Sequence, residues 1–380
     1  MTALNGSASS SAHHDIARPA GGLKQHYRET IIGWLMASPA IVLIVMFLIV
    51  PFVMAFVWSF TNQRLISPNP TEYVGTKNFT DLLTLRTITL HPIKDETTGD
   101  LVRDSDGNLT YPKLRDYTRD EEEYPQYFKL KEWKSWTIGD NQIYILAKDP
   151  VFMQALQNTI TFVVVIAPGQ GGLALILALL VNQKLRGINL FRTIFFMPVV
   201  VSMVIVALLW RFIYDGQNGL LNSLLHSASF GAFKPVDWLG RKDTAMPALM
   251  MMSVWQAVGF HMVIWLSGLQ NIPTILYEAA SVEGANTWQK FRFVTWPGLR
   301  STAVFILVVI TMQAFGLFTQ VDVMTRGGPL DSTQSIMYQA VQRGYEKQNI
   351  AGGSAISVVF FILVLSVSLT QRFLTREKSR

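Results

Sequence analysis

The chain has 380 residues, of which 50% are hydrophobic and 15% charged, with a formal net charge of +6; an ordinary soluble domain carries about 25% charged residues. That balance excludes soluble globular and disordered classes and points to lipid as the solvent. With 0 Cys the chain also excludes disulfides, thiolate metal sites and cysteine nucleophiles.

In chain order, residues 1–29 are rich in Ser, Ala, Gly and His without an apolar run, and read as a disordered cytoplasmic tail in which His13 and His14 are solvated. Six uncharged, mostly apolar runs follow. They are 30–63 (34 residues), 150–183 (34), 193–210 (18), 244–277 (34), 301–321 (21) and 348–371 (24). A helix needs roughly 18 to 20 residues to cross about 30 Å of hydrocarbon, and soluble core helices rarely run so long without charge. We place membrane spans at 30–63, 150–183, 191–213, 244–272, 300–322 and 351–371. The first is too long, and lacks a convincing cleavage site after it, to be a removable signal, so it is expected to stay as an anchor.

The segments 1–29, 182–192, 278–300 and 372–380 hold 13 Lys+Arg against 5 Asp+Glu, whereas the intervening connections hold 19 against 21. The positive-inside bias places both termini in the cytoplasm. It also accounts for the basic balance without nucleic acid, for which no Lys/Arg cluster on a soluble face is evident. Residues 64–149 carry 12 Lys+Arg and 15 Asp+Glu, too polar for lipid, and fall outside under this orientation. Within them Asp106-Gly107 and Gly139-Asp140 sit between short alternating arms, a hairpin signal. The expected fold class is therefore an all-α polytopic membrane protein with six transmembrane helices and an external, β-rich insertion. The other connections are external loops at 214–243 and 323–350, a cytoplasmic loop at 273–299 and a cytoplasmic tail at 372–380.

No G-x-x-x-x-G-K-[ST] loop occurs, so the chain is not itself a P-loop ATPase. The cluster Gly169-Gln170-Gly171-Gly172 reads as small residues that let helices pack. The six runs suffice to build a membrane domain without Asp, Glu, Lys or Arg inside, whereas ion-coupled carriers keep such groups there. His261 alone could take up a proton within them, and beside Trp255, Gln256 and Trp265 it reads as a hydrogen-bonded packing residue. The driving force is therefore expected from another subunit. The loop YEAASVEGANTWQKFRFVTWPGL, residues 277–299, places Ala280, Gly284 and Trp288 at helical spacing on one face. Pro273 opens a short helix there and Pro297 marks an end. Gly284 costs about 1 kcal/mol relative to Ala inside a helix. A small flat spot beside a large aromatic suits a partner protein's groove; an amphipathic helix lying on lipid is the alternative.

This loop resembles the EAA loop of ATP-binding-cassette importer permeases, with Glu278, Ala279, Ala280, Gly284 and Pro297 at the motif's positions; Glu283 and Trp296 stand where Asp and Leu are common. EYVGTKNFTDLL (72–83), DPVFMQALQNTITF (149–162), the stretch 191–222 and VMTRGGP (323–329) are similar to the carbohydrate-importing subfamily of the maltose and glycerol-phosphate type. Residues 84–148 interrupt that likeness as an insertion. The resemblance implies a bacterial inner-membrane importer of two permeases, two ATPase subunits and an external solute-binding protein. ATP and Mg belong to the ATPase subunits; this chain holds no cofactor, no metal site and no catalytic residue. Glu278, Ala279, Ala280, Gly284, Trp288 and Pro297 would couple to the ATPase. For a sugar, held by hydrogen bonds and aromatic faces, the pathway candidates are Trp255, Gln256, Gln313, Phe315 and Gln320. Gln256 and Gln313 read equally as hydrogen bonds that glue the bundle. A secondary transporter of a small polar solute is the alternative function.

Overall fold

A computed structural model describes residues 23–95, 100–183 and 186–375. The expected disordered tail at 1–29, with His13 and His14, lies outside them except for its last seven residues, as do residues 376–380 of the tail at 372–380. The chain divides after Met54 into two units. In the first, α1 (Leu23–Ile44) carries Pro39 and passes through a π turn, Val45–Ile49. Ser38 Oγ donates to the Leu35 carbonyl one turn back, 2.8 Å away, beside the proline that has no N–H of its own to give. α2 (Val50–Trp58) then carries the chain into the second unit.

In the second unit α3 (Lys77–Leu83) leads into β1 (Leu85–Leu90), α4 (Leu114–Arg119), β2 (Lys131–Ile138) and β3 (Asn141–Ala147). The strands form one antiparallel sheet in the order β1-β3-β2. Two residues, Gly139 and Asp140, join β2 to β3, and Ile138 pairs with Asn141 across them. Gly139 takes φ +60° and Asp140 does not follow it to positive φ, the pattern of a type II′ hairpin turn. The other expected hairpin, at Asp106-Gly107, is a turn without strands. Asp104 Oδ1 accepts the N–H groups of Asp106 and Asn108 at 2.9 and 2.8 Å, and the flanking arms are held by single bridges at Arg103–Leu109 and Lys94–Leu101. The backbone N–H of Asn108, with those of its neighbours, holds the Asp104 carboxyl below its ordinary range. Ile88 and Leu90 alternate onto one face of the sheet and bury against Leu130 and Leu146.

β1 and β3 also form a neck. Leu85 pairs with Ala147, and the Lys148 N–H donates to the Thr84 carbonyl at 3.2 Å. The two ends of the inserted stretch therefore meet where α3 stops and the next helix starts.

That helix, α5 (Pro150–Val181), has 32 residues; Asp149 caps it by accepting the Phe152 N–H at 3.0 Å, with Pro150 at the first position. Arg343 pairs with the same carboxylate. α6 (Ile188–Val200) and α7 (Met203–Ile213) meet at a bend of 101°. α8 (Leu220–Ala228) precedes α9 (Ala245–Gln270). Two short helices, α10 (Thr274–Val282) and α11 (Thr287–Lys290), pass through a π turn, Phe291–Thr295, into α12 (Trp296–Gly298), and α13 (Arg300–Phe315) leaves that assembly at 65°. α14 (Thr319–Met324), α15 (Ile336–Val341) and α16 (Ile350–Thr375) complete the described chain.

Among the described residues four helices are long and apolar enough to cross a membrane, and the number reaches six when each bent pair is taken as one span. Two of the expected spans need correction. The stretch 191–213 is no straight helix: Pro198 removes a donor, the β-branched run Val199–Val201 follows, and Val201 becomes extended at ψ 137°. The stretch 300–322 stops at Phe315, where Gly316 leaves helical geometry and α14 starts anew. The main core joins Phe162 and Ile166 of α5, Trp210 of α7, Met252 and Met262 of α9, and Ile306 and Ile310 of α13.

Close backbone contact sets the crossing of α6 and α9. A Cβ on Gly259 would stand 1.8 Å from the Phe195 carbonyl oxygen, so no larger residue fits without moving a helix. We expect Gly259→Ala to lower stability by about 1–3 kcal/mol, the usual cost of overpacking, read as a lower thermal midpoint of the purified protein in detergent.

Candidate functional site

Three helices build most of a cavity of about 260 Å³ by ordinary helical spacing. α5 supplies Phe162, Ile166 and Gln170, four residues apart; α9 supplies Ser253, Gln256, Ala257 and Phe260; α13 supplies Ile310, Gln313 and Ala314. Gln320 of α14 closes the wall, with Val199 and Met203 from either side of the α6–α7 bend. The bend thus has a local use: it turns the chain past the cavity instead of along it. None of the lining residues carries a charge.

The wall is mostly apolar, and its few polar groups are underused. Ser253 Oγ donates back to the Leu249 carbonyl at 2.8 Å and is satisfied within its helix. Gln170 Nε2 lies 3.0 Å from His261 Nδ1. Gln256 and Gln320 are buried, at 8% exposure each, and among the described residues no hydrogen-bond partner reaches either amide. Neither amide is sealed off, so each is open to a solute entering the cavity. Among the described residues no three His, Asp or Glu side chains gather as metal ligands would.

Of the five pathway candidates, Gln256, Gln313 and Gln320 come together here and two do not. Trp255 follows α9 round by one residue, so it faces away, 45% exposed and edge-on to Trp210 at 5.5 Å. Phe315 lies two residues beyond Gln313 and turns into the core against Phe360 at 6.0 Å. Gln170 and Ser253 were missed. The four-residue spacing from Phe162 through Ile166 would have placed Gln170 on the cavity face, but the surrounding glycines suggested packing. Of those glycines Gly171 packs, 3.5 Å from Ile310 by its added Cβ, and its carbonyl accepts the Trp265 indole N–H at 3.0 Å; Gly169 and Gly172 face open space.

The second candidate element is the loop from Pro273 to Leu299. Pro273 stands at the N-cap of α10, as its position suggested, and Glu278, Ala279 and Ala280 lie within that helix. The expected single face of Ala280, Gly284 and Trp288 does not exist, because the helix ends before Gly284. Gly284 takes φ +74°, its N–H donates to the Ser281 carbonyl at 3.1 Å, and the Ala285 N–H donates to the Ala280 carbonyl at 2.9 Å. These two bonds are a Schellman ending, which reverses the chain at a residue in the left-handed region. Asn286 then restarts the helix with a capping box shared with Gln289. Trp288 therefore belongs to α11, where it is 68% exposed and stacked on Phe291 at 5.5 Å. Pro297 sits in α12, two residues before the bend at Leu299, so it ends the loop. A hydrogen bond of 3.0 Å between Tyr277 Oη and Thr295 Oγ1 ties the outgoing arm to the returning one. The result is a braced knob with Ile275, Val282, Trp288 and Phe293 exposed on it.

Residues 170–380 match the family described as binding-protein-dependent transport system inner membrane component. A probable ABC transporter permease protein of Bacillus subtilis, YurN, is 36% identical over 64% of this chain and 86% of its own length. The lactose transport system permease protein LacF of Rhizobium radiobacter is 33% identical over 63% of this chain and 81% of its own. Among solved structures, a bacterial ABC transporter involved in the import of the acidic polysaccharide alginate has a chain that superposes with a TM-score of 0.68, covering 94% of this chain and 99% of that one. At 18% identity this likeness speaks for the fold.

Nothing lies within 4 Å of a Cβ added to Gly284, so the cost of substitution there is conformational and not a clash. We expect Gly284→Ala to weaken the knob by about 1–2 kcal/mol, the penalty for a side chain in the left-handed region. Hydrogen exchange of the Ala285 amide should rise while that of α9 stays unchanged.

Proposed function

Since the chain belongs to the family of binding-protein-dependent transport system inner membrane components, we propose that it is the permease subunit of an ATP-driven importer that moves a sugar or sugar-like solute into the cytoplasm. The observation that carries this reading is the cavity, where the uncharged amides of Gln170, Gln256, Gln313 and Gln320 converge beside Phe162 and Phe260. Amide groups meet hydroxyls as donors and as acceptors, and aromatic faces meet the C–H faces of a sugar ring. The lactose permease relative supports the same substrate class. A secondary transporter would need an ionisable group to bind its coupling ion, and the cavity wall has none.

The knob is the part that engages an ATPase. Its exposed apolar side chains, Val282 at 89% and Trp288 at 68%, are costly in water and suit a groove on a partner. Glu278 and Ala279 flank that surface, and the Schellman turn at Gly284 presents it as a compact tip. In this reading two ATPase subunits bind ATP with Mg, a second permease completes the pathway, and an external binding protein delivers the solute. Closure of the ATPases drives the knob between two positions, and the differing contacts in those positions are what transmit the free energy. The chain then sits in the bacterial inner membrane, both termini cytoplasmic, with the sheet lobe outside, where it meets the binding protein or shields the cavity mouth.

Trp288→Ala tests the knob. The variant should insert and purify like the parent, lose uptake of labelled sugar at least about tenfold, and hold less ATPase on affinity purification, as expected for truncating a central aromatic anchor. Uphill accumulation of sugar by vesicles that contain this polypeptide and no ATPase would overturn the whole reading. Deleting residues 84–148 tests the lobe: ATPase attachment should survive and binding-protein docking should fail.

A further inference from the structure

His261 is the most deeply placed titratable group next to the cavity, and the function above does not use it. Its ring is 0% exposed and stands edge-on to Phe260 at 5.3 Å. Nδ1 lies between two groups, Gln170 Nε2 at 3.0 Å and the Ala257 carbonyl oxygen at 2.9 Å. Nε2 is buried without a well-formed hydrogen bond, although the Gln313 side chain is close enough to interact with the ring. Gln170, Ala257, Phe260 and Gln313 all line the cavity. The histidine is thus the piece behind the wall that meets the Gln170 amide of α5 and lies beside the Gln313 amide of α13.

One nitrogen cannot accept a hydrogen bond from Gln170 and donate one to Ala257 at the same time. With the proton on Nδ1 the Ala257 oxygen is served, but the Gln170 NH2 then faces another donor, and both glutamine amides must turn over, that of Gln313 to give its NH2 to the Nε2 lone pair. With the proton on Nε2 the lone pair of Nδ1 accepts from Gln170, as the contacting atom requires, and Nε2–H becomes a donor that the carbonyl oxygen of Gln313 can accept. The Ala257 carbonyl loses little, because it is already part of the helix ladder. Satisfying the buried polar atoms therefore favours the second arrangement.

We propose that His261, as its Nε2–H tautomer, is the positioning residue that orients the cavity's facing glutamines. It draws the NH2 of Gln170 and the carbonyl oxygen of Gln313 to itself. The cavity is left with the Gln170 carbonyl as an acceptor on the α5 side and the Gln313 NH2 as a donor on the α13 side. Such a frame selects a solute whose hydroxyl donates toward α5 while another of its oxygens accepts from α13, and it rejects an isomer with that pair reversed. The assignment rests on the cavity being the solute site, and it adds to that reading the rule by which one polyhydroxyl stereoisomer is preferred.

The tautomer can be read directly. In the full-length chain, labelled with 15N-histidine and held in lipid nanodiscs, the His261 signals are identified by their loss in His261→Asn. We expect an unprotonated Nδ1 and a protonated Nε2. In Gln170→Leu the proton should move to Nδ1, where Ala257 accepts it. A ring protonated on Nδ1 in the unaltered chain, or one indifferent to Gln170→Leu, would overturn the proposal. A second measurement uses cellular uptake of radiolabelled mono- and disaccharides offered singly. For the sugar taken up, KM should rise about tenfold in His261→Phe and in Gln170→Leu, and no further in the double variant, with maximal rate within about twofold of the parent. Additive losses in the double variant would mean that the histidine merely supports the fold. If no sugar is taken up, the transport reading fails, while the spectra still decide the tautomer.

Discussion

A polar side chain in hydrocarbon must find a partner, and a helix that carries several must turn them toward one another. That constraint organises this molecule. α5, α9 and α13 each bear an amide on the same stripe as small or aromatic residues, and their packing puts those stripes face to face. The rest of the bundle serves the juxtaposition. Gly259 lets α6 press against α9, the bend after Pro198 carries α6 and α7 round the cavity, and α14 brings Gln320 in from the end of α13.

Much of this was legible in the sequence, for definite reasons. Long uncharged runs locate membrane helices because charge is so costly in lipid, and the spans placed at 150–183 and 244–272 differ from α5 and α9 by two residues or fewer at either end, although the second run itself continues to 277. The bend at Val201 was not legible, since a run of Val after Pro198 satisfies hydropathy whether or not it is straight. The expected direction of Trp255 failed for a simple reason: being next to Gln256 in sequence puts a residue about 100° away on a helix. Gln170 was hidden by its own neighbours, because glycines on either side drew attention to packing. At Gly284 the spacing from Ala280 to Trp288 looked helical, yet the same glycine that fits a helix poorly fits a helix ending well.

The knob and the cavity share a mechanical route. α9 carries Gln256 and His261 and ends at Gln270, three residues before the Pro273 that opens α10. α12 passes into α13, which carries Gln313, through the bend at Leu299. The tip is therefore joined to both sides of the cavity, by two helices that lead directly into the loop. The Tyr277–Thr295 hydrogen bond joins the loop's arms, so they move together.

The neck formed by β1 and β3 has a consequence of its own. Thr84 and Lys148 are hydrogen-bonded to each other, so the two ends of the lobe are fixed beside α3 and α5. The foot of the sheet is three-stranded there, since Lys131 and Leu85 both pair with Ala147, and Trp133 and Ala147 pack with Leu82, Phe152 and Met153 of α3 and α5. Growth, exchange or trimming is therefore open at the far end of the lobe, around Asp106 and Gly107, and closed at its foot, where a change would disturb α3 and α5. A reporter or an affinity domain would accordingly be spliced into that distal turn, with the foot of the sheet kept.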